Sequence, residues 1–210
     1  MTFEFSEKVS DALYWLERQT HIRTNHARML CGRDVGSLMA GIIAENGYKN
    51  VLEIGVFTGF SSICLAAGTD GGHVDALEIN DELTDLILDG YERAGFKDAI
   101  TLHIGDALKI IPILKSQIDN DLQPLYDVVY LDANKRFYSD YYDAVFPMLR
   151  QGGMIIADNV LWSGKAQDPN AKLDAQTRGI KDFNSRIEAD PRVEAKLLDL
   201  RDGVYLIKKL

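Results

Sequence analysis

Cysteine is scarce in this sequence, with two in 210 residues. Cys31 and Cys64 lie in neither a CxxC nor a mixed Cys/His spacing. A disulfide framework and a structural zinc site are therefore excluded, and two free thiols are expected. Long apolar runs are also missing. Runs such as Val128 to Leu131 and Met154 to Ala157 fall far short of the roughly 20 residues a helix needs to cross a bilayer. No membrane span is expected. The opening residues, Met1-Thr2-Phe3-Glu4-Phe5-Ser6-Glu7, lack the basic start and apolar core of a secretory signal, which points to the cytoplasm. Positive charge is in deficit, with 23 Lys and Arg against 32 Asp and Glu and a net charge of -9. That balance favours solubility and argues against a broad electrostatic grip on nucleic acid phosphates. Internal repeats beyond a strand-and-helix period, low-complexity segments and linkers are absent as well.

What is present has globular proportions, 46% hydrophobic and 26% charged, and is long enough for one substantial core. A single domain spanning 1–210 is the expectation. Five short aliphatic runs begin near Val51, Val74, Thr101, Val128 and Met154. Their spacing leaves room for a helix after each, for example Asp81 to Ala94, Asp106 to Gln117 and Tyr138 to Leu149. Parallel strands joined by crossover helices follow, and the near-continuous apolar strands suit a sheet covered on both faces. The fold class is α/β, a three-layer Rossmann-like sandwich. Phe5 to Thr20 and Val35 to Asn46 read as two helices ahead of the sheet, so residues 1–48 would cap it or cover a cofactor. After a loop from Asn159 to Leu173 and a helix to about Ala189, two strands, Val193 to Leu200 and Val204 to Lys208, flank Arg201-Asp202-Gly203. Asp-Gly between strand runs is a hairpin signal, so the last strand should run antiparallel.

The first strand enters Glu53-Ile54-Gly55-Val56-Phe57-Thr58-Gly59-Phe60-Ser61, a glycine-containing turn opening a helix, where an α/β sheet binds its ligand. Gly55 lets backbone approach a ligand, and Ser61 offers a donor in the first helical turn. The full GxGxxG is missing, and Glu53 would repel a phosphate. A dinucleotide is disfavoured, whereas S-adenosylmethionine has no phosphate to cradle. Glu78, ending the second strand, is placed to accept from two ribose hydroxyls, and Asp106-Ala107, following the third, to reach an adenine amino group.

The fourth strand ends in Leu131-Asp132-Ala133-Asn134-Lys135 and the fifth in Ala157-Asp158-Asn159. Two carboxylates and an amide then meet at one sheet edge without His or Cys. That donor set suits a hard cation that keeps several waters: Mg2+, with Mn2+ or Ca2+ as substitutes. Asp132, Asp158 and Asn159 are the candidate ligands. A cation there would acidify an acceptor hydroxyl, and a vicinal aromatic diol would suit it. Lys135 is the candidate base, since a nearby cation and burial both lower a lysine pKa.

Taken together, Glu53 to Ser61, Leu131 to Lys135, Asp158-Asn159-Val160-Leu161-Trp162 and Asp190-Pro191-Arg192 resemble the cation-dependent O-methyltransferases, which include the catechol and caffeoyl-CoA types and small bacterial relatives. The resemblance covers nearly the whole chain from about Arg28. It implies a seven-stranded sheet with its last strand reversed, a homodimer, and methyl transfer from S-adenosylmethionine to a hydroxyl of a small catechol-like or phenylpropanoid-like acceptor. It carries the metal ligands onto Asp132, Asp158 and Asn159 and the base onto Lys135. Cofactor contacts are implied at Met29, Cys31, Glu53, Gly55, Val56, Ser61, Glu78, Asp106, Ala107, Asp132 and Asn134. The acceptor falls to Trp162, Ser163 and Asp202, with Phe137 and Tyr138 as further aromatic candidates. Asn134 stands where the plant enzymes have a cofactor-touching Asp, and Ser163 where they have a substrate-contacting Asn. Two other readings compete: methylation of a hydroxylated tRNA nucleoside, which requires Arg23, Arg28, Arg33, Lys135, Arg136 and Lys165 to gather near the site, and a cofactor-binding module without catalysis.

Overall fold

The computed structural model describes residues 3–210. The chain forms two compact units that divide after Asp106. The first contains α1 (Glu7–Arg23), α2 (Gly32–Asn46), β1 (Asn50–Ile54), α3 (Phe60–Gly68), β2 (His73–Glu78), α4 (Thr84–Ala94) and β3 (Ile100–Ile104). Ser6 starts α1 by accepting from the Val9 N–H at 3.4 Å, satisfying one of the amides a helix start leaves free. β1 pairs in parallel with β2, and β2 with β3, in registers that include Val51↔Val74 and Val74↔Ile100. The strands are apolar and buried at Val51, Leu52, Ile54, Val74, Ala76 and Leu77, as a sheet covered on both faces requires. α3 is buried along most of its length and packs against α1 and α2, while α1 also packs on α4.

The second unit contains α5 (Ala107–Asp119), β4 (Tyr126–Leu131), α6 (Tyr138–Val145), β5 (Leu149–Asp158), α7 (Ala175–Ala189), β6 (Val193–Leu198) and β7 (Val204–Lys209). β4 and β5 are parallel, whereas β7 runs antiparallel to both β5 and β6. The strand order of the seven-stranded sheet is β3-β2-β1-β4-β5-β7-β6. The expected α/β fold with a reversed terminal hairpin is therefore present, and the last strand sits inside the sheet with β6 at the edge.

Two boundaries depart from the pattern reading. The helix expected to reach Leu149 stops at Val145, because Pro147 sits in a 3₁₀ turn, Phe146–Met148, and has no N–H with which to continue the helix. β5 then begins at Leu149 rather than Met154. Tyr126 pairs with Leu149 and Val128 with Met154, so residues 150–153 bulge out of the ladder. Among the described residues, no helix is long and apolar enough to cross a membrane.

On β2 and β3, Asp75 faces two histidines, with His103 Nε2 at 2.7 Å and His73 Nε2 at 3.7 Å from its Oδ1. The Asp75 carboxylate raises the His73 pKa above its ordinary 6.5, outweighing the opposing effect of burial. A raised histidine pKa stabilises the fold fully below the unfolded value, and this contribution fades as pH rises through the folded value. Asp75→Asn should therefore lower the His73 midpoint to 6.5 or below, as followed by NMR titration. An unmoved midpoint would discard Asp75 as the cause.

Candidate active site

In the first unit, the turn after β1 is organised by one carboxylate. Glu78 Oε2 accepts from the Val56 N–H at 3.0 Å and the Phe57 N–H at 2.7 Å, and Oε1 accepts from the Asn80 N–H at 2.8 Å. Three of about four acceptor positions on a carboxylate are thus taken by backbone. Glu78 is the internal clamp of this turn, with capacity for about one further donor in this arrangement. The clamp holds Phe57 at φ 56°, in the left-handed region that non-glycine residues rarely adopt. Gly59 follows at φ 91°, and a Cβ there would come within 2.9 Å of the Tyr91 ring.

Glu53 is fully buried. Its Oε2 accepts from the Ser62 hydroxyl, which in turn accepts from Tyr91 OH at 2.8 Å. This chain ties β1 to α3 and α4. Thr20 on α1 donates to Thr58 at 3.0 Å, so the first helix is pinned to the same turn. Ser61 is buried one turn further on, Cys31 is buried at the start of α2, and Met29 is half exposed in the short turn before it. Burial, then Glu53, pushes the Cys64 thiol far up, which makes it inert. Asp106 closes this unit after Gly105, whose N–H donates to Glu78 O at 2.7 Å, and Ala107 begins α5 in the next.

In the second unit, the parallel register that pairs Leu131 with Ala157 places the next residues, Asp132 and Asp158, at neighbouring strand ends. Lys135 bridges them. Its ammonium donates to Asp132 Oδ1 at 2.7 Å, to the Tyr138 hydroxyl and to Asp158 O at 3.3 Å, and only 5% of the residue is exposed. Asp158 Oδ1 accepts from the Asn159 N–H at 2.7 Å and Oδ2 from Tyr130 OH at 3.0 Å. Burial, then the charge of Asp132, raises the Asp158 carboxyl to about 6. Burial, with Asp132 and Asp158, likewise pushes the Tyr138 phenol well up. Tyr138 is wholly buried behind Lys135, so it does not join the expected acceptor aromatics; Phe137 beside it is exposed.

This donor set suits a divalent cation. Two carboxylates repel each other in a buried setting, and added positive charge relieves that repulsion. Among the described residues no group of three or more His, Cys, Asp or Glu is arranged for a metal. A cation here would therefore need Asn159 and solvent or substrate oxygens beside Asp132 and Asp158.

The expected acceptor residues come together in part. Asp202 Oδ1 accepts from the Ser163 N–H at 2.6 Å, while Asp202 O and Gly203 O accept from Leu161 N–H at 2.9 Å and Val160 N–H at 3.1 Å. The β6–β7 turn thus holds the loop after β5 in a contorted path, with Asn159, Trp162 and Ser163 at φ 57°, 51° and 55°. Non-glycine residues in that region cost about 1–3 kcal/mol each and cluster at functional sites. Asn184 of α7 also holds this loop, donating to Val160 O at 2.8 Å. Its Oδ1 and Trp162 Nε1 are buried without a hydrogen-bond partner among the described residues. Asn134 is exposed and caps the next turn, its Oδ1 accepting from the Arg136 N–H at 3.2 Å.

Sequence reasoning missed Tyr130, Gly179 and Asn184, and it set Tyr138 beside the acceptor rather than against Lys135. Of these only Tyr138 carried a signal, lying three residues after Lys135, itself three after Asp132. The Asp190-Pro191-Arg192 motif proves to be a brace. Arg192 pairs with Asp190 through Nε at 2.8 Å, Tyr142 OH donates to Asp190 Oδ2 at 2.9 Å, and the Arg192 guanidinium lies 4.2 Å from the Phe146 ring centroid. Arg192 chiefly holds the Asp190 carboxyl far below the usual carboxylate range.

A mostly parallel sheet with a reversed last strand, carrying a carboxylate-clamped turn after β1 and acidic residues after β4 and β5, defines the Rossmann-like methyltransferase class. Within it, the chain belongs to the O-methyltransferase family, whose model matches residues 3–210, and it is an S-adenosylmethionine-dependent O-methyltransferase. It is 35% identical over 208 residues to probable caffeoyl-CoA O-methyltransferase 2 of Dictyostelium discoideum, covering 99% of this chain and 89% of that one. It is 35% identical over 188 residues to caffeoyl-CoA O-methyltransferase 1 of Eucalyptus globulus, covering 87% and 75% of the two chains. The Bacillus cereus O-methyltransferase, solved in complex with SAH, superposes with a TM-score of 0.83 at 28% identity, covering 99% and 92%.

Gly179 on α7 is the close-approach point to the lysine turn, since a Cβ there would fall 2.3 Å from Lys135 O and 2.8 Å from Arg136 Cα. Gly179→Ala should destabilise the protein by about 1–3 kcal/mol through overpacking, measured by urea unfolding. Unchanged stability would show that α7 can retreat freely from that turn.

Proposed function

We propose that this enzyme transfers a methyl group from S-adenosylmethionine to one hydroxyl of a small vicinal aromatic diol, using a divalent cation, Mg2+ in the first instance, and Lys135 as base. The reading rests above all on the buried side-chain nitrogen of Lys135, 2.7 Å from Asp132 Oδ1 at the shared end of β4 and β5.

In the first unit, the turn of Gly55 and Val56, with Ser61 and Glu78, would hold the nucleoside of the cofactor, and Met29, Cys31 and Asp106 would complete its contacts. Glu78 has one acceptor position left beyond its backbone bonds, enough for one ribose hydroxyl without disturbing the turn. In the second unit, Asp132, Asp158 and Asn159 would hold the cation, and Trp162, Ser163 and Asp202 would bound the acceptor. When bound, the cation supplies positive charge that lowers the pKa of the acceptor hydroxyl. Lys135 receives that hydroxyl's proton on Nζ, so the nitrogen must enter the step neutral and leave it as ammonium. The oxygen then forms the new C–O bond as the C–S bond of the sulfonium breaks, and S-adenosylhomocysteine departs. Positioning is the main catalytic demand in such a displacement.

A panel of catechols, caffeoyl thioesters, flavonoids and hydroxylated tRNA, assayed with labelled cofactor and Mg2+, tests the acceptor. Methylation of the tRNA alone would overturn the small-molecule reading. With an accepted diol, chelation should reduce the rate about 10²-fold or more, with recovery on adding Mg2+. Full activity in chelator would remove the cation from the mechanism. Lys135→Ala should lower kcat by about 10²- to 10⁴-fold with little change in cofactor affinity by calorimetry; a wild-type kcat would strip Lys135 of its role.

A further inference from the structure

We propose that Tyr138 is the positioning residue for Lys135, its hydroxyl fixing where the lysine nitrogen sits; this rests on the reading of Lys135 as the base. A base must be held in hydrogen-bond reach of the proton it takes, and bases are commonly oriented by a third group. Lysine is poorly suited to hold itself, because its ammonium ends a flexible four-carbon stem.

The phenol is placed to compensate. Tyr138 is fully buried, and its hydroxyl oxygen lies 3.1 Å from Leu131 O and 3.0 Å from Asp158 O. Carbonyl oxygens only accept, so the single phenolic proton is directed to one of them and a lone pair is left for the Lys135 ammonium. The polarity of the Lys135–Tyr138 bond is thereby set. Leu131 ends β4 and Asp158 ends β5, so the hydroxyl is referenced to both strand ends that carry the acidic residues. The ring is held edge-on against Phe183 of α7, with centroids 5.3 Å apart and planes at 84°, and the Lys135 nitrogen lies 4.6 Å from the Tyr138 ring centroid. Lys135 to Phe137 form a 3₁₀ turn leading into α6 at Tyr138. In that geometry side chains three apart stand above one another, which brings Lys135 and Tyr138 onto one side. The backbone of the same turn is held by α7 at Gly179.

Tyr138→Phe removes the hydroxyl and keeps the ring against Phe183; Tyr138→Leu is a second variant lacking the hydroxyl. The direct readout is a crystal structure of whichever variant folds, which needs no acceptor. Displacement of Lys135 Nζ from Asp132 Oδ1 supports the proposal, and a nitrogen that stays in place overturns it. With catechol and Mg2+, or the diol identified by the panel, Tyr138→Phe should lower kcat about 10- to 100-fold while the KM for S-adenosylmethionine stays within about twofold. In a Lys135→Ala background the same substitution should cause no further loss. A purely structural role would lower kcat equally in both backgrounds and would defeat the proposal. Should Lys135→Ala itself retain full kcat, the reading of the base fails, and the crystallographic result then decides on its own whether Tyr138 places the nitrogen.

Discussion

A buried ammonium with compensated charge organises the second unit of this enzyme. Lys135 is withdrawn from water at the ends of two parallel strands, and a charge in that setting is tolerated only when paired and hydrogen-bonded. Its partners come from three places at once: a carboxylate after β4, a carbonyl at the end of β5 and a phenol at the start of α6. Satisfying that one group therefore ties the β4–β5 register, the intervening 3₁₀ turn and the packing of α7 into a single arrangement. Parallel pairing of Leu131 with Ala157 is what makes it possible, because a one-residue slip would move Asp132 out of line with Asp158.

The first unit rests on a comparable economy. One glutamate, Glu78, clamps the turn after β1 through three backbone N–H groups. A second, Glu53, links β1 to α3 and α4 through Ser62 and Tyr91. Glu78 was picked out as a cofactor residue from its place at the end of β2, and Glu53 through the family resemblance. Their bonds show that each holds the scaffold of the first unit. The loop carrying Trp162 and Ser163 is held likewise, against its own backbone preference, by the β6–β7 turn.

Much of this was legible in the chain. The strand spacing and the Asp-Gly hairpin signal led to the α/β class and the reversed last strand, because burial on both faces leaves near-continuous apolar runs and turns demand particular residues. Asp132, Lys135, Asp158 and Asn159 stood out because two carboxylates, an amide and a lysine come at the ends of successive apolar strands without a nearby His or Cys. Less legible were the end of α6 and the start of β5, where Pro147 and a bulged register outweighed the apolar pattern. Tyr138 read as an acceptor aromatic and proved to be buried against Lys135. Gly179 and Asn184 carried no signal, since neither residue type announces its contact from within a helix.

By itself, the sequence determined the element order, the α/β class and the chemistry available at each strand end, since periodicity and residue type are local properties. Tertiary structure decided which of those groups meet. The approach of Lys135 to Asp158 O, the clamp that Glu78 makes on Val56 and Phe57, and the bracing of Ser163 by Asp202 join residues whose contact depends on strand register and on how closely helices approach. Those are set by packing of the whole fold, and no local pattern encodes them.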